Sequence, residues 1–283
     1  MLRVKYETEN GSIEFTDQAG QNRIEDMTGF DLAPREYGVA DAGNVGQVTI
    51  DEVPAQRAMT IKFELQYSGD MYALHQAKAR LMQALYRPGK LTVQRFHTKR
   101  CIDVQQVTVE PGERNSLWQD FIVQFTADSP YFHDAEFIEI PVFREVDHIL
   151  DTFTLPMVFT SRYNDCDVLV EGHEKVMPVI TLHGGEGAAG GSDGCKIENL
   201  TTGNSITLRH SPAEGEVVTI DTGAGDITST TDGDLIAALD LDSYLSDFWL
   251  APGHNHIVVT NYATQDEFTA LCEFRNNYVE ACI

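Results

Sequence analysis

The sequence predicts a mainly β protein with a single α-helix, organised as two domains. Three observations carry this. Strict alternation of apolar and polar residues marks long strands in the first half. One stretch alone repeats its apolar residues at spacings of three and four. The second half consists of short apolar runs punctuated by glycine-rich turns. A length of 283 residues suits about two domains.

From Arg57 to Tyr67, Met59, Ile61, Phe63, Leu65 and Tyr67 share one face, with Thr60, Lys62, Glu64 and Gln66 on the other. This is the pattern of a half-buried strand. Leu117, Phe121, Val123 and Phe125 repeat it, and Cys101 to Val109 reads as a third, less regular strand. Between the first and third lies the helix. Asp70 is placed to cap its N-terminus. Met71, Leu74, Ala77, Leu81 and Leu85 form its apolar stripe, Arg80 and Arg87 suit the C-terminal end of its dipole, and Pro88-Gly89 stops it. Lys90 to Phe96 resumes as a strand. Residues 33–57, rich in Gly, Asp and Asn around Ala33–Gly46, read as a long loop. It is either a flexible excursion or an arm that orders against a neighbouring subunit. Glu136 to Phe159 is expected to carry the chain between the domains.

In the second half, Val179–Leu182, Cys195–Asn199, Ser205–Arg209, Val217–Asp221, His256–Thr260 and Phe268–Phe274 are expected strands. Turns at Gly184-Gly185, Thr202-Gly203-Asn204, Glu214-Gly215, Thr222–Gly225 and Ala251-Pro252-Gly253 separate them, and this spacing indicates a β-sandwich. Leu235 to Leu250 has room for one short helical turn.

Net charge is −24. Residues 1–150 carry 23 acids and 15 bases, whereas residues 151–283 carry 21 acids and 5 bases. The sharper acidity of the second half supports a division near the middle, into residues 1–147 and 148–283, with the last residues free to return to the first domain. Such an acidic chain is a poor partner for phosphate backbones and for anionic membranes. It is expected to stay soluble through its charge. No run of 18 apolar residues marks a membrane helix. Met1–Glu7 turns polar at once, so the chain is expected to remain in the cytosol unless it leaves inside a larger particle. Cys101, Cys166, Cys195, Cys272 and Cys282 are odd in number and widely spaced. They read as reduced thiols, mostly buried, and not as a disulfide framework or zinc site.

Several fragments look like catalytic or metal motifs. Gly190-Gly191-Ser192-Asp193-Gly194 matches G-x-S-x-G, but a nucleophile elbow needs a strand before the serine and a helix after it. Here glycine-rich chain precedes it and a strand follows, so it reads as a hairpin tip that could also serve as a contact loop. His254 and His256 would share a face of a strand, but spacing marks no third metal ligand. Asp232/Asp234 and Asp240/Asp242 lack the calcium-loop pattern. Paired acids also serve glycosidases, but in so acidic a chain a pair says little. No phosphate-binding loop, dinucleotide fingerprint or H-E-x-x-H helix is present. The sequence therefore assigns no catalytic, cofactor-binding or metal residue and no cofactor.

Four segments of the first half together resemble the distal tail proteins of long-tailed, non-contractile phages, a family of siphophage tail components. They are Thr28-Gly29-Phe30, Arg57-x-Met59-x-Ile61-x-Phe63, the helix exit Tyr86-Arg87-Pro88-Gly89-Lys90-Leu91-Thr92-Val93, and Phe125–Phe132 ending Pro130-Tyr131-Phe132. In the second half Met177–Leu182, Ile197–Gly203, Val217–Thr222 and Trp249–Ile257 continue the resemblance in order, over almost the whole chain. The sequence departs from the family at Gly184–Gly194, which is unusually glycine-rich. The resemblance implies an N-terminal β-sandwich or split-barrel domain with one helix that forms a hexameric ring, and a C-terminal galectin-like β-sandwich on its outside. It implies a structural role at the distal end of the virion tail, assembled in the host cytoplasm. There the ring would join the tail tube protein to a tail-associated fibre or lysin protein, and carry receptor-binding or baseplate proteins. DNA would pass through the lumen without specific binding, repelled by an acidic wall. A carbohydrate-binding adhesion module is the alternative. It would expose aromatic platforms, and Trp118 and Trp249 are the only tryptophans.

Overall fold

The alternating runs become paired strands. Arg57–Gln66 (β6 in chain order) lies antiparallel to Trp118–Ala127 (β10), with Met59 opposite Phe125, Ile61 opposite Val123 and Phe63 opposite Phe121. These side chains are fully buried, while Lys62 and Ile122 face outward. Around this pair the computed structural model, which describes residues 1–18, 20–41, 47–67, 71–115, 118–147, 160–262 and 268–282, builds two compact units. One comprises Met1–Ala135 with Asn277–Ile283; the other comprises Glu136–Asn276.

The first unit adds β1 (Leu2–Thr8), β2 (Gly11–Thr16), β3 (Asn22–Thr28), β4 (Arg35–Asp41), β5 (Gln47–Pro54), β7 (Gly89–Arg95), β8 (Thr98–Val104), β9 (Gln106–Arg114) and β11 (Phe132–Asp134). Its final strand, Asn277–Tyr278 (β26), comes from the chain's end. Ten of these form one sheet in the order β26-β11-β8-β7-β1-β2-β3-β6-β10-β9, with only β2 and β3 parallel. The sheet curls on itself. Tyr6 on β1 reaches within 5.0 Å of Phe125 on β10, and Phe15 on β2 within 4.8 Å of Phe63 on β6. Such offset aromatic pairs add to the burial that closes the core. The helix α1 (Met71–Leu85) packs against β1 and β2, burying Leu74, Leu81, Ala84 and Leu85.

Some expectations for this half need correction. The helix ends at Leu85, so Arg80 stands exposed in its interior and Arg87 lies beyond its end. Asp70 and Leu117 lie outside the described residues. Cys101–Val109 is two strands, because the chain turns at Gln105, whose N–H donates to Thr126 O at 2.9 Å. Ile102 and Val104 therefore belong to β8, and Val107 and Val109 pair with β10. The stretch read as a loop at 33–57 is a β-hairpin, with β4 and β5 paired antiparallel from Arg35/Pro54 to Asp41/Gln47. Backbone pairing satisfies amides there, and Tyr37, Val39 and Val53 stand exposed, so alternation gave no warning.

The second unit holds β12 (Ile138–Pro141), β13 (Arg144–Asp147), β14 (Thr160–Tyr163), β15 (Asp165–Val170), β16 (Val179–Gly184), β17 (Ala189–Gly191), β18 (Cys195–Asn199), β19 (Asn204–Leu208), β20 (Ser211–Ala213), β21 (Val217–Asp221), β22 (Asp226–Ser229), β23 (Gly233–Asp234), β24 (Gly253–Asn261) and β25 (Phe268–Phe274). One sheet runs β12-β25-β16-β21-β22-β23 and another β15-β24-β18-β19. Their inner residues meet in a single core. Ile180, Leu182, Val218, Ile220 and Phe274 come from the first, and Val168, Ile197, Ile206, Ile257 and Val259 from the second. This is the two-layer solution for strands apolar on one face. Between β23 and β24, Leu235–Leu250 carries two short 3-10 turns, Ile236–Ala238 and Leu245–Asp247.

The unit begins at Glu136, ahead of the 147/148 division, because β12 pairs with β25 inside its sheet. Glu136–Phe159 is thus only partly a connection: β12 and β13 are strands, and residues 148–159 lie outside the described residues. No helix among the described residues is long and apolar enough to cross a membrane.

Candidate interaction surfaces

Three of the sequence segments singled out above meet in one buried junction of the first unit. Gly29 turns the chain at φ +83°, and a Cβ there would stand 2.1 Å from the Ala58 carbonyl oxygen. Only glycine fits so close an approach in that conformation. The turn delivers Phe30, 2% exposed, onto Phe132, with ring centroids 6.3 Å apart. Arg57, leading β6 and 1% exposed, lays its guanidinium 4.7 Å from the Phe132 centroid. Its Nη2 donates to Val279 O at 2.6 Å and Asp31 O at 3.3 Å, while Nε and Nη1 find no hydrogen-bond partner. Burial pulls its pKa down to about 10, against the pull of Asp31. The N–H of Ala281 donates to Phe30 O at 2.9 Å. The junction thus ties the chain's last residues to its first turn.

The helix exit is built the same way. A Cβ on Gly89 would stand 2.2 Å from Glu7 O, so β7 can lie beside β1 only with glycine at this point. Tyr6 Oη donates to Arg87 O at 2.6 Å and Thr8 Oγ1 to Ala84 O at 3.1 Å. Thr8 thus satisfies a carbonyl that the helix's last turn leaves open, and Tyr6 one just beyond the helix.

Apolar side chains stand exposed around this frame. Tyr37, Val39 and Val53 on the β4–β5 hairpin are 58%, 53% and 49% exposed, and Tyr86 and Phe96 more so. On the outer face of β3, β6 and β10, Lys62 Nζ sits 2.7 Å from Glu25 and 3.9 Å from Asp120. Lys62 is largely in solvent, so these ion pairs add little stability.

In the second unit two further segments converge. Asn199, fully buried, donates from Nδ2 to Trp249 O at 3.0 Å and to Asn255 Oδ1 at 3.1 Å. Asn255 Nδ2 in turn donates to Ala251 O at 2.7 Å. The pair pins the turn after β18 to the turn before β24. Trp249 is half-buried under Lys175, whose Nζ is 5.7 Å from its ring, and Trp118 is half-buried on β10.

The catalytic-looking fragments are placed as follows. Ser192 is exposed between β17 and β18, with a strand and no helix after it. His254 and His256 lie on β24. His256 Nδ1 is 2.8 Å from Asp167 Oδ1 and its Nε2 3.5 Å from Asp165 Oδ2, whereas His254 pairs across from Leu169. Asp234 Oδ1 accepts from the Ile236 N–H, and Asp240 Oδ1 accepts from Arg209 Nη2 at 2.8 Å, so both serve local structure. Asp232 instead joins His210 and Glu216, with ligand atoms of all three within 4.8 Å of one another. Sequence reasoning missed His210 and Glu216, because only the folding of β20–β23 brings them to Asp232. All five cysteines are free thiols. Burial pushes Cys195 up to about 12, and burial together with Asp165 and Asp167 does the same to Cys166.

Comparison with known proteins adds three findings. Residues 171–278 match the family model of the siphovirus-type tail component, C-terminal domain. The crystal structure of the SPP1 Dit (gp 19.1) protein, described as a paradigm of the hub adsorption apparatus in phages infecting Gram-positive bacteria, shares the fold. It aligns with a TM-score of 0.69 at 13% identity, over 98% of this chain and 99% of that one. A chain of the phage P2 baseplate in its activated conformation with calcium aligns with a TM-score of 0.52 at 12% identity, over 98% of both chains. No curated protein matches the sequence. The second unit thus carries the sequence of a siphovirus-type tail component C-terminal domain, and the chain as a whole shares the fold of the SPP1 Dit protein.

Proposed function

We propose that copies of this chain close into a hexameric ring at the distal end of a phage tail. There the ring joins the tail tube protein to the tail-associated fibre or lysin protein, and receptor-binding or baseplate proteins dock on its flank. The observation that carries this reading is the shared fold along nearly the full length of the SPP1 Dit hub protein and of this chain. A closed ring needs two different contact surfaces on each subunit. The first unit offers the apolar β4–β5 hairpin, with Tyr37, Val39 and Val53, and the charged outer face of β3-β6-β10. The second unit, a galectin-like sandwich in this reading, serves as an adaptor. A net charge of −24 suits a lumen through which DNA must slide without sticking. The role is structural and no catalysis is assigned to the chain.

Light scattering after size exclusion, with negative-stain microscopy, tests the proposal on the full chain. Six copies of 31.5 kDa give a species of about 190 kDa with six-fold end-on views. A strict monomer at every concentration, alone and with the tail tube protein, overturns it.

A further inference from the structure

We propose that His210, Glu216 and Asp232 form a binding site for one divalent cation of the zinc class, on an edge of the second unit. The three residues come from different places. His210 precedes β20, Glu216 precedes β21, and Asp232 lies in the turn between β22 and β23. Their ligand atoms converge within 4.8 Å.

Glu216 is the fixed member. It is 3% exposed, and its Oε2 accepts from the Ala213 N–H at 2.9 Å. Its Oε1 accepts from Ser229 Oγ at 2.5 Å and faces His210 Nε2 at 2.8 Å. These three contacts hold the carboxyl group in place before any cation arrives. Ser229 Oγ also accepts from the N–H groups of Thr231 and Asp232, at 3.0 and 3.2 Å. One hydroxyl thus orients both the buried carboxylate and the turn that bears Asp232. This is the outer-shell support that metal ligands require.

The separations suit one ion. Tetrahedral bonds of about 2.0–2.1 Å to nitrogen and oxygen place neighbouring ligand atoms roughly 3.3–3.4 Å apart. The 2.8 Å between His210 and Glu216 must open by about half an ångström, which a small imidazole shift supplies. Asp232 is exposed and free to swing inward. One imidazole with two carboxylates favours zinc or a neighbouring transition metal over calcium, which takes six to eight oxygens. Binding uses the Nε2 lone pair, with the ring proton on Nδ1. Three protein ligands leave the fourth position, on the Asp232 side, to water or to a side chain of a docked protein.

The test uses the full chain, stripped with a chelator and titrated with zinc chloride against a chromophoric competitor. The expected result is one tight equivalent, weakened at least tenfold by Asp232→Asn and by His210→Gln, retained in His256→Gln, and not displaced by millimolar calcium. Asp232 is exposed, so its substitution leaves the fold intact. Cobalt(II) in place of zinc should give visible d–d bands in the parent and not in Asp232→Asn. Absence of a tight equivalent in the parent, its survival in Asp232→Asn, or its loss in His256→Gln overturns the assignment.

Discussion

Arg57 offers the sharpest test of how the first unit is held together. The guanidinium is a charge at 1% exposure, so its net worth is a difference between large terms. Lowering its pKa from 12.5 to about 10 corresponds to a cost of roughly 3 kcal/mol at about 1.4 kcal/mol per tenfold. Against this stand a short charge-assisted bond to Val279 O and a longer one to Asp31 O, together about 2–4 kcal/mol. The desolvated contact with Phe132 adds about 2 kcal/mol. The charge therefore comes close to breaking even. Truncation is another matter: Arg57→Ala opens a cavity and strands the carbonyls of Val279 and Asp31. These losses sum to about 4 kcal/mol. Arg57→Met refills the stem's volume and leaves only the carbonyls unpaired, at about 2 kcal/mol. Scanning calorimetry should show the first unit's transition falling by roughly 10 °C in Arg57→Ala and by about half as much in Arg57→Met. A loss below about 1 kcal/mol for Arg57→Ala would refute the view that this residue ties the chain's end to its first turn.

Gly29→Ala should cost at least about 3 kcal/mol in urea unfolding, because a strained φ of +83° combines with a backbone clash that no rotamer relieves. Polar substitution of the hairpin by Tyr37→Ser with Val39→Thr should leave subunit stability within about 0.5 kcal/mol, since both residues are more than half exposed. Sedimentation velocity should nevertheless show the ring lost; an unchanged ring removes the hairpin from the interface. The thiol of Cys195 is raised from 9.0 to about 12, so the folded state holds its proton more tightly than the unfolded chain. Its contribution is complete below about pH 9 and is lost as pH rises through about 12. At pH 10.5 the loss is about 2 kcal/mol relative to pH 8. Urea midpoints should fall accordingly, and less steeply in Cys195→Ala.

Legibility in the sequence followed burial on one face. Met59, Ile61, Phe63 and Leu65 alternate because β6 has a core on one side and solvent on the other, and that strand was readable to within a residue. The helix was equally plain, since Leu74, Leu81 and Leu85 keep a single stripe against the sheet. The β4–β5 hairpin was hidden because Tyr37, Val39 and Val53 are all exposed, so no periodic contrast exists to be read. Short strands such as β20 and β22 span three or four residues, too few for a period to register. The His210–Glu216–Asp232 cluster was hidden for a third reason. Its ligands come together only through the pairing of β21 with β22 and of β22 with β23, which no local spacing reveals.

The fragments that carried the family resemblance share a physical character. Gly29 and Gly89 stand where backbone meets backbone, at separations that leave no room for a Cβ. Arg57 and Phe132 are the two faces of one buried contact. Asn199 and Asn255 complete each other's hydrogen bonds in the second core. At such positions the fold accepts very few side chains, whereas a core position asks only for an apolar group of suitable volume. That difference explains how two chains can share 98–99% of their length in fold at 13% identity. The core can be refilled residue by residue, but the close approaches and the buried polar pairs cannot. A variant library at Gly29, Gly89, Arg57 and Asn199 should therefore yield few folded proteins, whereas one at Ile61, Leu91, Val123 and Ile220 should yield many with apolar replacements. Equal tolerance in the two libraries, scored by soluble expression and cooperative unfolding, would contradict this account.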